Sequence, residues 1–542
     1  MHPPAGEPDG RKRTFATRAE RRRAESARRR EDGPPIGLGG ATFSLALLLT
    51  AIGTVIPGVA FIAAGRRRLG IGLVAGSVLV LAVLVWLATG GQRTALHLAV
   101  DPGALLLLGV LLPLVALAWA LIVIGGYGVV RPMRTSPLQR GIGAGVVSLL
   151  CLAVVLPTVV ASRYAFVQRD LISTVFAVQG KSATVPTGVT TTDPWAGQAR
   201  VNLLLLGGDG GPGREGVRTD TVIVASIDTA TGDTTLLSLP RNLENLPFPP
   251  GPLRTVYPKG FKAPGNEGEQ LLNAIYRNVT IDHPDVLKNT DNLGADVLKL
   301  GVGEALGINV DYYMLINLEG FKQLADALGG ITVNINDWVP IGGVTDLGIR
   351  PDNYLHPGPD QHLNGFQALW FARGRYGSSD YARMDRQRCV INAVIAQANP
   401  VTLLSRYQAL AATTKDILQT DIPQTLLPAF VDLALRIKDG RTTSVVFDNT
   451  VINPAYPDYN LIRATVKQAL APPPPPPAGP STSSAPTSPS TASPTTTAPS
   501  TTPPPVDSGV PPAAQALASS CAYDPAAAEA ALKQGEPPTR GG

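Results

Sequence analysis

The sequence predicts a layered α/β domain, with helices on both faces of a sheet, set between a helical membrane region and a disordered tail. Three observations carry this reading. Four apolar runs crowd the first 165 of 542 residues, and short Val/Ile/Leu-rich runs alternate with helical periodicity from 200 to about 471. From 472 the chain turns to Pro, Ser and Thr.

Residues 1–40 form a basic arm, in which positions 11 to 30 hold ten Lys or Arg against two Glu. Directly before an apolar run, such an arm engages anionic membrane lipid. Its only aromatic residue is Phe15, so despite a pI near 9.0 no nucleic-acid partner is expected. Residues 41–165 are the membrane region, with apolar runs at 43–65, 71–89, 104–127 and 141–161. The last three are long enough to cross a bilayer as helices. Basic residues cluster in the arm, in Arg66-Arg67-Arg68 and at Arg131, Arg134 and Arg140, whereas 90–103 carries only Arg93. Keeping all three basic segments on the cytoplasmic side makes 43–65 a re-entrant hairpin broken at Pro57-Gly58, followed by three spans. The N-terminus is then inside and everything after about residue 165 is extracytoplasmic. Four full spans with a cytoplasmic domain is the competing arrangement, and it wastes the charge bias.

Residues 166–199 mix Ser, Thr, Pro and Gly, as a tether or accessory segment does, and 200–471 form the globular domain. Strands are predicted at 201–206, 221–227, 234–239, 331–335, 368–372 and 443–447. Helices are predicted at 268–278, 293–306, 318–328, 381–397, 403–418, 423–437 and 460–470, with Gly329-Gly330 ending the third. Residues 472–542 are a low-complexity tail whose end, CAYDPAAAEAALKQG, has helical character. Cys151 lies in the last span, Cys389 on a predicted helix and Cys521 in the tail. A Cys389–Cys521 bridge is open to the chain outside the cytoplasm, but the spacing does not demand it. His283, His356 and His362 are too scattered for zinc, and no G-x-S-x-G elbow occurs.

The functional signal lies in three charged segments at predicted element ends. VNLLLLGGD and GVRTDTVIVASI supply Asp209, Arg218 and Asp220, and LLSLPRN supplies Arg241. ALWFARGRYGSSDYARMDRQR supplies Arg373, Arg375, Asp380, Arg383, Arg386 and Gln387. Guanidinium forks bind phosphate oxygens, and carboxylates at strand ends hold a hard divalent cation bridging the same oxygens. Each residue alone suits a solvated surface pair; together they suit pyrophosphate.

In order, LGGD, R-T-D-T-V, S-L-P-R, LNAIY, GINVDYYMLINLEGFKQLADALGGITVNI, HLNGFQALWFARGR and D-Y-A-R-M-D-R-Q resemble the LytR-CpsA-Psr phosphotransferases of bacterial cell-wall assembly, over roughly 200 to 400. The resemblance implies an α/β/α sandwich with a central mixed sheet, anchored in the cytoplasmic membrane with its catalytic domain outside. It implies transfer of a glycopolymer phosphate from a polyprenyl pyrophosphate carrier onto peptidoglycan, with arabinogalactan and teichoic acid as alternative polymers. Asp209 and Asp220 match the ligands of Mg2+, with Mn2+ as a substitute. Arg218, Arg241, Arg373, Arg375 and Arg383 match the pyrophosphate clamp, and Asp380 the acidic residue beside it. Gln387, Arg386, Asn273, Tyr276 and Asn364 are the expected substrate-binding residues. Asp380 is a candidate for accepting the acceptor hydroxyl's proton or for orienting Arg375 or Arg383. Leu318, Phe321, Leu324 and Leu328 form a stripe that either lines a groove for the prenyl chain or faces the core. One departure stands out: Asn242 follows the P-R pair where the family usually has an aspartate. Two other readings use the same residues, a polyprenyl pyrophosphate hydrolase and a non-catalytic lipid-binding regulator of the transcriptional-attenuator kind.

Overall fold

A computed structural model describes residues 42–176, 182–210, 217–397, 418–471 and 515–540. The predicted basic arm, most of the predicted helix at 403–418 and the Pro/Ser/Thr stretch up to 514 lie outside the described residues. The chain divides into two compact units, one of residues 1–95 with 106–166, the other of 96–105 with 167–542.

In the first unit, helix α1 (Phe43–Val55) stops before Pro57-Gly58 and the chain resumes as α2 (Val59–Ala63), with Gly58 at φ 111° making the break. The indole of Trp119 donates to the carbonyl of Thr54 at 3.0 Å. Among the described residues, three helices are long and apolar enough to cross a membrane: α3 (Arg67–Thr89), α5 (Pro102–Val130) and α6 (Pro137–Val175), with the short α4 (Gln92–Val100) between the first two.

The second unit is built on a seven-stranded mixed sheet. Its strands are β1 (Arg200–Gly208), β2 (Thr219–Asp228), β3 (Thr234–Leu239), β4 (Tyr312–Asn317), β9 (Leu418–Thr420), β10 (Thr442–Val446) and β11 (Gln515–Ala516), in the order β11-β10-β3-β2-β1-β4-β9. β1 and β4 run parallel, as do β3 and β10, and the other neighbours are antiparallel. Period-two alternation assigns Leu204, Leu206, Val222, Val224, Leu237 and Leu239 to the larger core, against Val297, Leu298 and Val302 of helix α9 (Leu293–Leu306) and Ile462 and Val466 of α14 (Tyr459–Ala469). Tyr312 packs its ring edge-on against Phe430 of α13 (Leu427–Asp439), at 5.4 Å. Buried Lys299 joins α9 to the sheet, bonding Asp421 Oδ2 at 2.6 Å and the Asp311 carbonyl at 2.8 Å.

A smaller core forms around helix α10 (Leu318–Leu328), the antiparallel strands β5 (Ile331–Ile335) and β8 (Gly358–Leu363), and helices α11 (Gly365–Arg373) and α12 (Asp380–Gln397). Between β5 and β8 lies a hairpin of β6 (Val339–Val344) and β7 (Ile349–Leu355). Phe321 and Leu328 of the predicted stripe pack on this core. Gly329 and Gly330 both take positive φ, and a Cβ on Gly330 would lie 2.8 Å from the Leu363 carbonyl oxygen, so glycine is required where α10 hands over to β5.

Three expectations change. The run at 368–372 is helix, not strand, because Asn364 and Gln367 form a reciprocal capping box and Ala368 and Phe371 bury the same face. The run at 268–278 is two 3-10 turns, Glu267–Glu269 and Leu272–Ala274, leading into α8 (Ile275–Asp282). In segment 166–199 the helix continues to Val175, and further on Ser182 and Thr184 bond Asp296 at 2.6 and 2.8 Å.

The end of the chain folds onto this unit. β11 pairs with β10, α15 (Leu517–Ser520) buries Leu517, and α16 (Pro525–Gln534) receives the Trp338 indole at the Ala531 carbonyl, 3.1 Å. Cys389 on α12 and Cys521 form a disulfide across a sequence separation of 132. Cys389→Ser should lower the stability of the domain by about 2–5 kcal/mol, read as a drop in the thermal midpoint of the oxidised chain that reductant reproduces in the wild type. Equal midpoints for variant and wild type would show that the bridge contributes nothing.

Candidate active site

The sheet's connectivity brings the charged residues to one end. β1 and β2 are antiparallel and so are β2 and β3, so the close of β1, the start of β2 and the close of β3 share an edge. Leu239 is paired with Val222, and two residues further on Arg241 comes level with Asp220. Arg241 Nη1 donates to Asp220 Oδ1 at 2.9 Å, and its Nε donates to Asp380 Oδ2 at 3.1 Å, at the first position of α12. One turn along, buried Arg383 donates to the same Asp380 oxygen at 3.0 Å and to the Asp220 carbonyl at 3.2 Å. Arg241, Arg375, Asp380, Asn242, Ser378 and Thr345 line a cavity of about 300 Å3. Three guanidiniums, on Arg241, Arg375 and Arg383, meet two carboxylates there, leaving one positive charge in excess. Arg383 Nε is buried with no partner among the described residues. A surplus positive charge and a buried guanidinium nitrogen without a partner suit an anion.

The electrostatics follow from this sharing. Burial pushes the Asp220 carboxyl up, but the charge and hydrogen bond of Arg241, the charge of Arg383 and a hydrogen bond from Asn273 together hold it below the usual range. Burial lowers the Arg241 pKa, yet Asp220 and Asp380 raise it beyond its ordinary value. Arg383 is shifted down, by burial first and by the neighbouring Arg241 and Arg375 cations, against the opposing pull of Asp380 and Asp220.

The other expected residues divide between this cluster and its supports. Asp209 closes the turn after β1, its Oδ1 taking the Arg218 amide at 2.8 Å while its own amide reaches the Arg218 carbonyl at 3.0 Å. The Arg218 guanidinium is held by Glu269 and by the Gly268 carbonyl, the latter at 3.3 Å. Arg373 lies over the Trp370 ring at 4.9 Å. Arg386 Nε bonds the Phe371 carbonyl at 2.8 Å, its Nη2 reaches the Gly374 carbonyl, and Gln387 bonds the Ala372 carbonyl at 3.3 Å. These two side chains bracket the end of α11 and so fix the Arg373-Gly374-Arg375 turn; burial lowers the Arg386 pKa to about 10. Asn364 is committed to capping α11. Tyr276 packs on the larger core, with a hydrogen bond to Asn292. Asn273 is buried beside Asp220, its amide nitrogen on the Arg241 carbonyl at 3.0 Å and its Oδ1 unpartnered among the described residues.

Sequence reasoning missed Glu269, which grips Arg218 and also Arg277 at 2.5 Å, and which accepts from Asn278 at 2.9 Å. The run EQLLNAIYRN offered the signal, since Arg277 and Asn278 follow directly on the LNAIY motif. Ser378 and Thr345 had no sequence signature.

The site is thus a cluster of shared arginines and acids at the end of an α/β sheet. The LytR_cpsA_psr family model matches residues 173–456, just over half of the chain, and the chain belongs to that family. It is 28% identical over 271 residues to biofilm regulatory protein A of Streptococcus mutans, covering 48% of this chain and 60% of that protein. It is 30% identical over 226 residues to the polyisoprenyl-teichoic acid–peptidoglycan teichoic acid transferase TagU of Enterococcus faecalis, covering 41% of this chain and 61% of that one. The chain thus spans about 60% of the length of these curated relatives. The crystal structure of Bacillus subtilis TagV aligns at 23% identity and a TM-score of 0.34, over 49% of this chain and 96% of that one.

Because the folded pKa of Asp220 lies below its unfolded value of about 3.9, its ion pair stabilises the domain fully above that pH and loses this as pH falls through the lowered folded pKa. In Arg241→Met, burial, already the largest single influence on Asp220, meets less opposition, and the pKa rises relative to the wild type. The acid-unfolding midpoint of Arg241→Met should therefore lie at higher pH than that of the wild type; coincident acid transitions would mean that Asp220 does not depend on Arg241.

Proposed function

We propose that this chain is a membrane-anchored phosphotransferase that moves a glycopolymer phosphate from a polyprenyl pyrophosphate carrier onto peptidoglycan. The observation that carries it is Arg241 and Arg375 lining one cavity with buried Arg383 beside them, and with Asp220 and Asp380 holding Arg241 and Arg383. Phosphoryl transfer asks for positioning and charge neutralisation more than for a protein nucleophile. The guanidiniums bind the pyrophosphate oxygens and take up charge that grows as an acceptor sugar hydroxyl attacks the glycan-linked phosphorus. The bridging P–O bond breaks and polyprenyl phosphate leaves, the acceptor hydroxyl's proton passing to that phosphate or to water. Asp380 Oδ2 is committed to both Arg241 and Arg383, which suits an orienting role. Asn242 leaves Arg241 its two carboxylates, so the usual aspartate is not required to hold this guanidinium.

The donor set fits magnesium. Asp209 and Asp220 present carboxylate oxygens from the adjacent ends of β1 and β2, and the unpartnered Asn273 Oδ1 lies beside Asp220. Mg2+ takes one or two carboxylates plus substrate phosphates, so Asp209 and Asp220 would hold it. When bound, the ion neutralises charge across the two phosphates.

The names of the teichoic acid transferases among the relatives support a glycopolymer donor and a peptidoglycan acceptor. Three long apolar helices support membrane anchoring, and the loop charge bias supports an N-terminus inside with the domain outside. The Cys389–Cys521 bridge supports an oxidising compartment for the same domain.

With a labelled polyprenyl pyrophosphoryl glycan, peptidoglycan and Mg2+, the full chain should place label on peptidoglycan. Arg375→Ala should slow this about 100-fold or more, as loss of a transition-state charge partner does. Wild-type turnover in Arg375→Ala refutes the clamp, and release of all label to water shows hydrolysis instead of transfer. Asp220→Ala should flatten the magnesium dependence; an unchanged titration removes Asp220 from the metal site.

A further inference from the structure

A second cavity, of about 490 Å3, opens between the segment after β3 and the residues leading into α14, and it shares no lining residue with the arginine cavity. Its lining includes Tyr257, Tyr456, Tyr459, Arg254 and Lys259. Tyr456 is 83% exposed, a large ring presented to solvent without packing to justify it. Tyr257 is the opposite: it is buried against Phe248 and Phe261 at 5.7 and 5.3 Å, and its hydroxyl has no hydrogen-bond partner among the described residues. The Tyr459 hydroxyl, in contrast, is satisfied by the Glu244 carbonyl at 2.7 Å, which fixes its ring.

The walls are stiff. Phe261 bonds the Leu246 carbonyl at 2.8 Å, Asn245 takes φ 52°, and a Cβ on Gly260 would lie 2.2 Å from the Asn245 carbonyl oxygen, so this corner admits only glycine. Arg254 Nε is anchored on the Phe248 carbonyl at 2.6 Å. The pocket is also cationic. Arg254 and Arg463 share one carboxylate, Glu304, at 3.2 and 3.4 Å, and no carboxylate pairs with Lys259 among the described residues.

We propose that this cavity is a second glycan site, which takes a phosphate-bearing saccharide chain, with sugar faces on the tyrosine rings and phosphodiesters on Arg254 and Lys259. Tyrosine offers a rigid ring with a polar tip, suited to a ligand that alternates C–H faces and hydroxyls. Unneutralised cations select an anionic chain over a neutral one. The proposal rests on the reading of the chain as a glycopolymer transferase and adds where the polymer beyond its pyrophosphate end is held.

The test uses the full chain in detergent and a phosphodiester-linked oligosaccharide free of lipid, followed by titration calorimetry. Tyr456→Ala, at an exposed position, should weaken binding about tenfold, or about 1.4 kcal/mol. Lys259→Glu should weaken it comparably and reduce its sensitivity to salt. Unchanged affinity in both variants overturns the site. Equal binding of the dephosphorylated oligosaccharide overturns the anionic class. Tighter binding of a peptide spanning 472–505 at the same residues overturns it in favour of the chain's own proline-rich segment, which aromatic grooves also accept. Both pocket variants should turn over a lipid pyrophosphate with a single-sugar head at the wild-type rate, whereas Arg375→Ala fails that assay yet still binds the free oligosaccharide. Failure of the transfer reading and failure of the glycan site are thereby separately visible.

Discussion

Arg241 is the joint on which the site depends. Its guanidinium reaches Asp220 on the sheet and Asp380 on α12 at once, and Asp380 passes the connection to Arg383 one turn along the helix. Sheet and helix are thereby held at one spacing by hydrogen bonds between charged groups, which are about twice as strong as neutral ones. The same contacts hold the Asp220 carboxyl below its usual range and keep Arg241 and Arg383 in place beside it. Without this joint the strand ends would still converge, but Arg383 would keep only the Asp220 carbonyl as its tie to the strand ends.

Support comes from residues that never face the cavity. Arg386 and Gln387 grip the carbonyls at the end of α11, so the turn bearing Arg375 is set by α12 itself. Glu269 does the corresponding work on the other flank, holding Arg218 and Arg277 together. Deep under the sheet, Lys299 and Asp421 tie α9 to β4 through the Tyr313 amide, which Asp421 Oδ1 accepts at 2.7 Å. Breaking one partner of such a buried pair costs about 3–5 kcal/mol.

Much of this was legible in the sequence, for identifiable reasons. The α9 and α10 boundaries match the prediction because Asn292, Asn317 and Gly329 cap those helices with side chains and conformations that leave a local signature. Asp220, Arg241, Asp380 and Arg383 stood out because arginines and acids gather there in three short segments, in the order of a known family's motifs. The helix at 365–373 was misread because a five-residue apolar run satisfies strand and helix alike, and only its cap separates them. β4 was hidden inside a stretch whose spacing also suits a helix. Glu269 left a local trace in EQLLNAIYRN, but its link to Arg218 spans 51 residues and has no local pattern, and Ser378 and Thr345 carry no motif of their own. The split of expected substrate residues into clamp and bracket has the same origin: Arg375 and Arg386 look alike as letters and differ only in which carbonyls lie nearby.

The final helices change what the Pro/Ser/Thr stretch is. The chain leaves the domain after α14 at Ala471 and returns at Gln515 to pair with β10, and Cys521 is then bonded to Cys389. Both flanks of the intervening stretch are therefore fixed to the same domain. A peptidase that cuts anywhere between 472 and 514 severs the backbone but frees nothing, because the carboxyl-terminal piece stays covalently attached to α12.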